Sequence, residues 1–331
     1  MSEHMSLGSC AGNILRGEAM SRELKKEYLG QLLLNAAILI FFGVLFFVGT
    51  FFDEEIAKTL FSKDNTAAAV VTSLGTIPYF AAPVLFCGAL YERAVHSSRG
   101  KPVKAILCGI CIAVALFVGF VGAGAIADRN CFGMIFPFLD RNYPVIAVIA
   151  AVVEYPLFFV GFHFAKKSED KMLAQRMIGL IIILLTAFIV MQTLKHTFHR
   201  PRFRTAVIGY DGIGFVPWYT PFEGAEEYTA LYGINADEFL SFPSGHSILS
   251  ISAMYILPSL SWLFPKLENK RSLMTMCGFM FGVIIMLTRM ILGAHYLSDV
   301  SMGAMIGTAL AIANTIIQFF ISAKQGRSER T

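Results

Sequence analysis

Apolar residues in this chain fall in long uncharged blocks, and charged residues are confined to the stretches between them. A block of about 18 or more apolar residues reads as a helix that crosses a bilayer. Eight such passes are predicted, at about Leu29–Phe52, Ala67–Leu90, Ala105–Ala127, Tyr143–Phe164, Leu173–Leu194, Ser247–Phe264, Ser272–Leu292 and Val300–Ser322. The fold expected is all-α, a polytopic membrane helical bundle. Asp53 to Lys63 carries Ile56, Leu60 and Phe61 on one helical face and is expected to lie in the outer interface. Gly278 with Gly282, and Gly303 with Gly307, have the small-xxx-small spacing that lets helices approach closely.

Composition supports this class. Of 331 residues, 56% are hydrophobic and only 15% are charged, against about 25% charged in soluble domains. No basic stripe with interleaved aromatics is present, so no nucleic-acid partner is expected. The polar first 26 residues precede a block too long for a signal-peptide core, which reads as an uncleaved anchor. Cys108 and Cys111 have C-x-x-C spacing inside an apolar block, where two small helix residues are the plainer reading than a redox pair.

Lysine and arginine sort by loop. Arg22, Lys25, Lys26, Arg93, Arg99, Lys101, Lys166, Lys167, Lys171, Lys266, Lys270, Arg271 and Lys324 all fall on one side under eight passes. The positive-inside rule makes that side, and both termini, cytoplasmic. The organisation expected is a cytoplasmic tail over 1–28 and helices one to five over 29–194. An outer-face motif with an aromatic cap follows over 195–246, then helices six to eight over 247–322 and a tail over 323–331. The cap holds Tyr210, Phe215, Trp218, Tyr219, Phe222, Tyr228 and Tyr232, and reads as an interfacial layer, a lid over a headgroup, or both.

Three polar segments sit at the outer ends of apolar blocks: Lys195 to Arg202, Pro243 to His246, and Arg289 to Asp299. They offer what cleavage of a phosphate ester requires. Charge in that reaction spreads over the equatorial oxygens, so positioned cations and N–H groups carry much of the catalysis. Lys195, Arg202 and Arg289 supply cations, and arginine's planar fork suits phosphate. Ser244 and Gly245 open the sixth pass, where backbone N–H groups lack helical partners. His295 and Asp299 are four apart and share a helical face, so Asp299 is expected to fix the His295 tautomer for attack on phosphorus. His246 remains to protonate the leaving group and later to activate water. No carboxylate cluster suited to magnesium or calcium is present on that face, so neither metal nor cofactor is expected.

These segments resemble the type 2 phosphatidic acid phosphatase superfamily, with its K-x6-R-P, P-S-G-H and S-R-x5-H-x3-D pattern. Lys195 and Arg202, Pro243 to His246, and Arg289, His295 and Asp299 match in turn. The resemblance covers about Lys195 to Ser322. It implies a helical bundle, with lipid phosphates or pyrophosphates as the commonest substrates. Phe203 stands where the family usually has proline, with Arg200-Pro201 two residues earlier, so Arg200 is a further candidate for phosphate contact. Thr288 replaces the usual serine.

The activity expected is metal-independent hydrolysis of a lipid phosphate or pyrophosphate through a phosphohistidine at the outer face of a bacterial inner membrane. Phosphatidate, phosphatidylglycerol phosphate and polyprenyl diphosphate are the candidate lipids. A phosphotransferase with the same intermediate, a phosphatase acting on a soluble sugar phosphate, and a silent lipid-binding or transport protein are the alternatives. The oligomeric state is left open. Glu154, inside the fourth pass beside Pro156, is read as functional or as bonded to backbone freed by that proline.

Overall fold

The computed structural model describes residues 4–328, and every regular element among them is helical. In chain order these are α1 (His4–Leu60), α2 (Thr66–Ser73), α3 (Ile77–Val95), α4 (Lys101–Ala127), α5 (Phe132–Ile135), α6 (Tyr143–Ile149) and α7 (Tyr155–Ala165). They continue with α8 (Leu173–Phe198), α9 (Phe203–Ala206), α10 (Ala225–Tyr232), α11 (Gly245–Ile251), α12 (Ala253–Ser259), α13 (Arg271–Ile291) and α14 (Leu297–Ser328). Among the described residues, seven helical stretches are long and apolar enough to cross a membrane. The chain is a polytopic integral membrane protein, as its apolar blocks predict. One group packs α3, α4 and α7 together; a second packs α1, α13 and α14 around α11 and α12; α8 touches both.

The predicted sixth pass, Ser247–Phe264, is not one of the seven. It folds as α11 and α12 with a break at Ser252, then a 3-10 turn at Leu260–Trp262. Serines cause the break. The hydroxyls of Ser250, Ser252 and Ser259 donate to the carbonyls three residues earlier, a bond that bends helices. Such a segment is tolerated because it is buried throughout from Ser247 to Ile256. The small-residue pairs enclose it. A Cβ on Gly278 or Gly282 of α13 would run into Ala253 or Ile251, and one on Gly303 or Gly307 of α14 into Ser244 or Ile251.

The interfacial helix expected at Asp53–Lys63 does not form. The helix continues unbroken through Asp53 to Leu60. Ile56 and Leu60 pack against the α13–α14 core, and Phe61 lies edge-on to Phe203 at 5.3 Å. The tail expected over 1–28 is helical from His4; residues 1–3 and 329–331 lie outside the described residues. The fourth pass carries a π-helical turn at Ala150–Glu154 between α6 and α7. Glu154 sits there buried, with both carboxylate oxygens unpartnered, and does not line the cavity described below.

The bundle has two ends. At one, Arg271 meets Glu27 at 2.9 Å and Arg93 donates to Ser168 O at 2.7 Å. At the other, Ser62 N donates to Ile291 O at 2.8 Å and Arg204 N to Gly293 O at 2.9 Å. All three polar motif segments lie at this second end.

Candidate active site

A cavity of about 220 Å³ opens where the three segments meet, lined by Lys195, Arg202, Gly245, His246, Arg289 and His295. Lys195 comes from the last turn of α8 and lies against the start of α11. A Cβ on Gly245 would sit 2.7 Å from Met191 Sδ and 3.2 Å from Lys195 Cε, so glycine lets α11 start close against α8 here. Arg202 and Arg289 are 4% and 1% exposed. Burying a guanidinium is costly unless its donors are satisfied, and here backbone and amide oxygens do most of this. Arg202 Nε donates to Asp237 O at 2.9 Å and Nη1 to Asn130 Oδ1 at 3.3 Å. Arg289 Nη1 donates to Asn130 O at 2.9 Å, while its Nε is buried without a partner. Thr76, between α2 and α3, lines the same cavity, and its hydroxyl is also buried and unpartnered. Each leaves a hydrogen-bond donor unused.

His295, 1% exposed, is held otherwise than its spacing from Asp299 suggests. Its Nδ1 lies 2.7 Å from Ser241 O, and Asp299 Oδ2 is 3.8 Å away, beyond hydrogen-bond reach. A carbonyl only accepts, so Nδ1 carries the proton and Nε2 presents its lone pair. Asp299 supports this frame indirectly: Oδ2 accepts from the Ser241 hydroxyl at 2.6 Å and from Tyr296 N at 2.8 Å. Burial, reinforced by the charges of Arg289 and Arg202, holds His295 well below the ordinary histidine value despite the pull of Asp299. Burial, then the charges of Arg289, His295, Lys195 and Arg202, does the same to His246.

Ser244 departs from expectation. Its N–H donates to Asp299 O at 3.0 Å, and its hydroxyl caps α11 at Ser247 N, 3.3 Å away. The N–H groups without helical partners are therefore those of Gly245 and His246. Arg200 departs too. It is 1% exposed and engaged on every side. Its Nη1 donates to Asp299 Oδ1 at 2.5 Å and Ser298 Oγ at 2.9 Å, Nη2 to Asp53 Oδ2 at 2.9 Å, and Nε to Val216 O at 2.7 Å. The Tyr296 ring centroid lies 4.0 Å from its guanidinium carbon. Arg200 thus braces Asp299, while Arg202 faces the cavity. Phe203, in place of the family's proline, fills the space below with Ala57 and Tyr296. The Thr288 hydroxyl pairs with Thr72 at 2.7 Å as a contact between helices.

Several contributors carry no sequence signal. Asn130 anchors Arg202 and Arg289 as above and also accepts from Arg204 Nη2 at 2.5 Å. Beside it, Cys131 Sγ lies 3.3 Å from His246 Nε2. Both belong to the short loop after α4, whose composition is that of any polar turn. The aromatic cap folds down onto the motif: Trp218 stacks on Phe242 at 5.5 Å, Phe222 on Phe239 at 5.6 Å, and Phe222 N donates to Phe198 O. Its Val216 and Asp237 carbonyls are the ones that hold Arg200 and Arg202. Glu238, within the cap, is disfavoured as an ion by burial. Hydrogen bonds from Arg204 and Thr205 and the charges of Arg202 and Arg204 nonetheless hold its carboxyl down at about 2.

A larger cavity of about 400 Å³ lies at the opposite end, between α1, α12, α13 and α14. It contains no histidine, and its one guanidinium, Arg271, is paired with Glu27. It offers no counterpart to the cation-lined cavity.

Among the described residues of this helical membrane bundle, a cavity lined by Lys195, Arg202, Arg289, His246 and His295 is suited to receive an anion. Residues 176–322, which include all three motif segments, match the PAP2 superfamily model. The class of activity this brings is phosphatase-type chemistry on phosphate esters. No curated protein and no solved structure matches the chain.

Proposed function

We propose that the protein is a metal-independent phosphatase for a membrane lipid phosphate or diphosphate, acting through a phosphohistidine on His295. The observation that carries this reading is the bond from His295 Nδ1 to Ser241 O, which leaves Nε2 as a nucleophile in a cavity with Lys195, Arg202 and Arg289. Nε2 attacks phosphorus as the ester P–O bond breaks, and the leaving oxygen takes from His246 the proton that the incoming phosphate monoanion has passed to it. Water then gives a proton back to His246 and attacks phosphorus, the N–P bond breaks, and phosphate departs. The cations, with the N–H groups of Gly245 and His246, hold the equatorial oxygens throughout. Arg289 Nε and the Thr76 hydroxyl gain the partners they lack.

The apolar part of the cavity lining favours a lipid. About 220 Å³ accommodates a phosphate headgroup and little more, and Phe80, Ala125, Met191 and Leu249 line it with apolar surface. The acyl or prenyl chain stays in the bilayer. The broken α11–α12 segment still runs from Gly245 at the cavity to Ser261 beside Arg271 at the other end, which keeps eight crossings. On that count the lysine and arginine distribution supports placing the termini in the cytoplasm and the site on the outer face.

The test is phosphate release by purified protein in detergent with chelator present. The panel contains phosphatidate, phosphatidylglycerol phosphate, a polyprenyl diphosphate and a soluble sugar phosphate. Release from a lipid substrate, unchanged by chelator, is expected. Loss restored by magnesium overturns the metal-free route, preference for the sugar phosphate overturns the lipid assignment, and transfer to added alcohols without net hydrolysis makes it a phosphotransferase.

A pH dependence follows for monoester substrates. Burial and the charges of Arg289, His295, Lys195 and Arg202 disfavour the charged form of His246 in the free site, so the proton for the leaving group is expected to enter with the substrate. A phosphate monoester loses its second proton near pH 6, at about its second pKa. kcat/KM for phosphatidate is therefore expected to fall about tenfold per pH unit above roughly pH 6. Initial rates across the range at constant ionic strength measure this, and a flat profile into the alkaline range would remove His246 as proton carrier.

A further inference from the structure

Helix α1 lies outside the matched residues 176–322, yet one stripe of it is built into the site. Phe46 and Thr50 hold Trp218 of the cap, ring to ring at 4.9 Å and Oγ1 to Nε1 at 3.0 Å. Gly49 brings α1 against the start of α14, since a Cβ there would sit 2.5 Å from Ser298 N. One turn on is Asp53, 3% exposed. Its Oδ1 accepts from Ser298 N at 2.8 Å, and its Oδ2 from Arg200 Nη2 at 2.9 Å and from the Ser298 hydroxyl. Ala57, a further turn on, closes against Phe203 and Tyr296. These positions share one helical face.

The charges do not balance. Arg200 is the one guanidinium bonded to both Asp53 and Asp299, and none of the three is more than 3% exposed. Asp53 accepts from three donors, and so does Asp299, an arrangement that suits two carboxylates; one guanidinium between two carboxylates leaves a single negative charge in excess. A brace between helices needs no excess charge. Phosphohistidine formation does, because the ring that bonds phosphorus through Nε2 while keeping its Nδ1 proton becomes an imidazolium. Asp299 Oδ2 is 3.8 Å from that Nδ1.

We propose that Asp53 is a positioning residue for phosphoryl transfer: by sharing Arg200, it leaves negative charge on Asp299 to face the imidazolium that forms on His295. This rests on the phosphohistidine reading above. The covalent step itself is unchanged: the Nε2–P bond forms, the P–O bond breaks, and the leaving oxygen takes the His246 proton. Asp53 alters how well the developing positive charge is met.

The experiment is quenched-flow phosphoenzyme formation by the full chain in detergent, with radiolabelled phosphatidate and phosphatidylglycerol phosphate as probes. It compares Asp53→Asn, Arg200→Gln and the double variant with the unchanged protein. Asp53→Asn is expected to slow labelling by about 10- to 100-fold, as for other supporting groups one step removed from the reacting atom, with KM little changed. Arg200→Gln leaves two unpaired carboxylates. The double variant restores a single negative charge and is expected to label at least about tenfold faster than Arg200→Gln alone, a coupling of the size seen between residues in contact. A brace alone predicts a lowered unfolding midpoint for Asp53→Asn with the folded protein labelling at the normal rate. Labelling by Asp53→Asn at the normal rate, or a double variant that labels no faster than Arg200→Gln alone, overturns the proposal. If Asp53→Asn does not fold, the comparison of the double variant with Arg200→Gln decides it. Absence of His295 labelling in the unchanged protein removes the phosphohistidine reading itself, and the proposal with it.

Discussion

A His295→Ala variant forms no phosphoenzyme and releases phosphate on the order of 10⁴- to 10⁶-fold more slowly than the unchanged protein, the scale seen when a covalent nucleophile is removed. The magnitude follows from what remains. Lys195, Arg202 and Arg289 still bind the ester in the variant, so substrate affinity is expected to change little while turnover collapses. Histidine 295 also contributes little to the frame around it. Its one hydrogen bond is to Ser241 O, and the Ser241 hydroxyl keeps its bond to Asp299 at 2.6 Å without the imidazole. A folded, substrate-binding, inactive protein is therefore the expected result. His246→Ala gives the contrasting pattern. It removes the proton donor and not the nucleophile, so turnover slows and some label still accumulates. Gel detection of phosphoprotein after alkaline quench, which preserves phosphohistidine, separates the two. Equal labelling of His295→Ala and the unchanged protein would sink the assignment.

The residues that face the cavity were legible in the sequence because charge in an apolar context is conspicuous. Lys195, Arg202, Arg289, His246 and His295 stand at the ends of apolar blocks, and all five line one cavity. Their partners were not legible. Helical spacing alone pairs His295 with Asp299, but the peptide group of Ser241 comes closer than the carboxylate, and the sequence does not report where a carbonyl points. Backbone geometry likewise consumes the Ser244 N–H at Asp299 O. Asp53 was misread because hydropathy falls at that position, which looks like the end of a membrane span. A buried cation 147 residues away keeps it inside the bundle instead. The break at Ser252 was invisible for a related reason: average hydropathy registers apolar content and ignores hydroxyls that bond back to the helix. The glycine pairs were legible as packing devices, but which helix they receive depends on the tertiary arrangement.

Arg200 and Arg202 are two residues apart and nearly alike in burial, yet removing them is expected to have different consequences. Arg200→Gln leaves Asp53 and Asp299 facing each other in a site that excludes water. Breaking a buried pair by removing one partner costs about 3–5 kcal/mol, a large share of the stability of an ordinary folded domain. The variant is expected to unfold well below the unchanged protein in a detergent thermal scan at fixed rate, and to lose activity as Asp299 shifts. Arg202→Gln leaves no carboxylate stranded, because its partners are the Asp237 carbonyl and the Asn130 amide. Glutamine can still donate to one of them. Its expected loss is in phosphate contact, so kcat/KM falls by about 10²- to 10³-fold, as for a deleted transition-state donor, while the unfolding midpoint moves little. Paired measurement of midpoint and kcat/KM on the two variants checks this. If Arg202→Gln were the destabilised variant and Arg200→Gln the stable one with weakened substrate binding, the roles given to the two arginines would be reversed. The same result would remove the charge link between α1 and Asp299, which runs through Arg200, and leave only the bonds from Ser298 to Asp53.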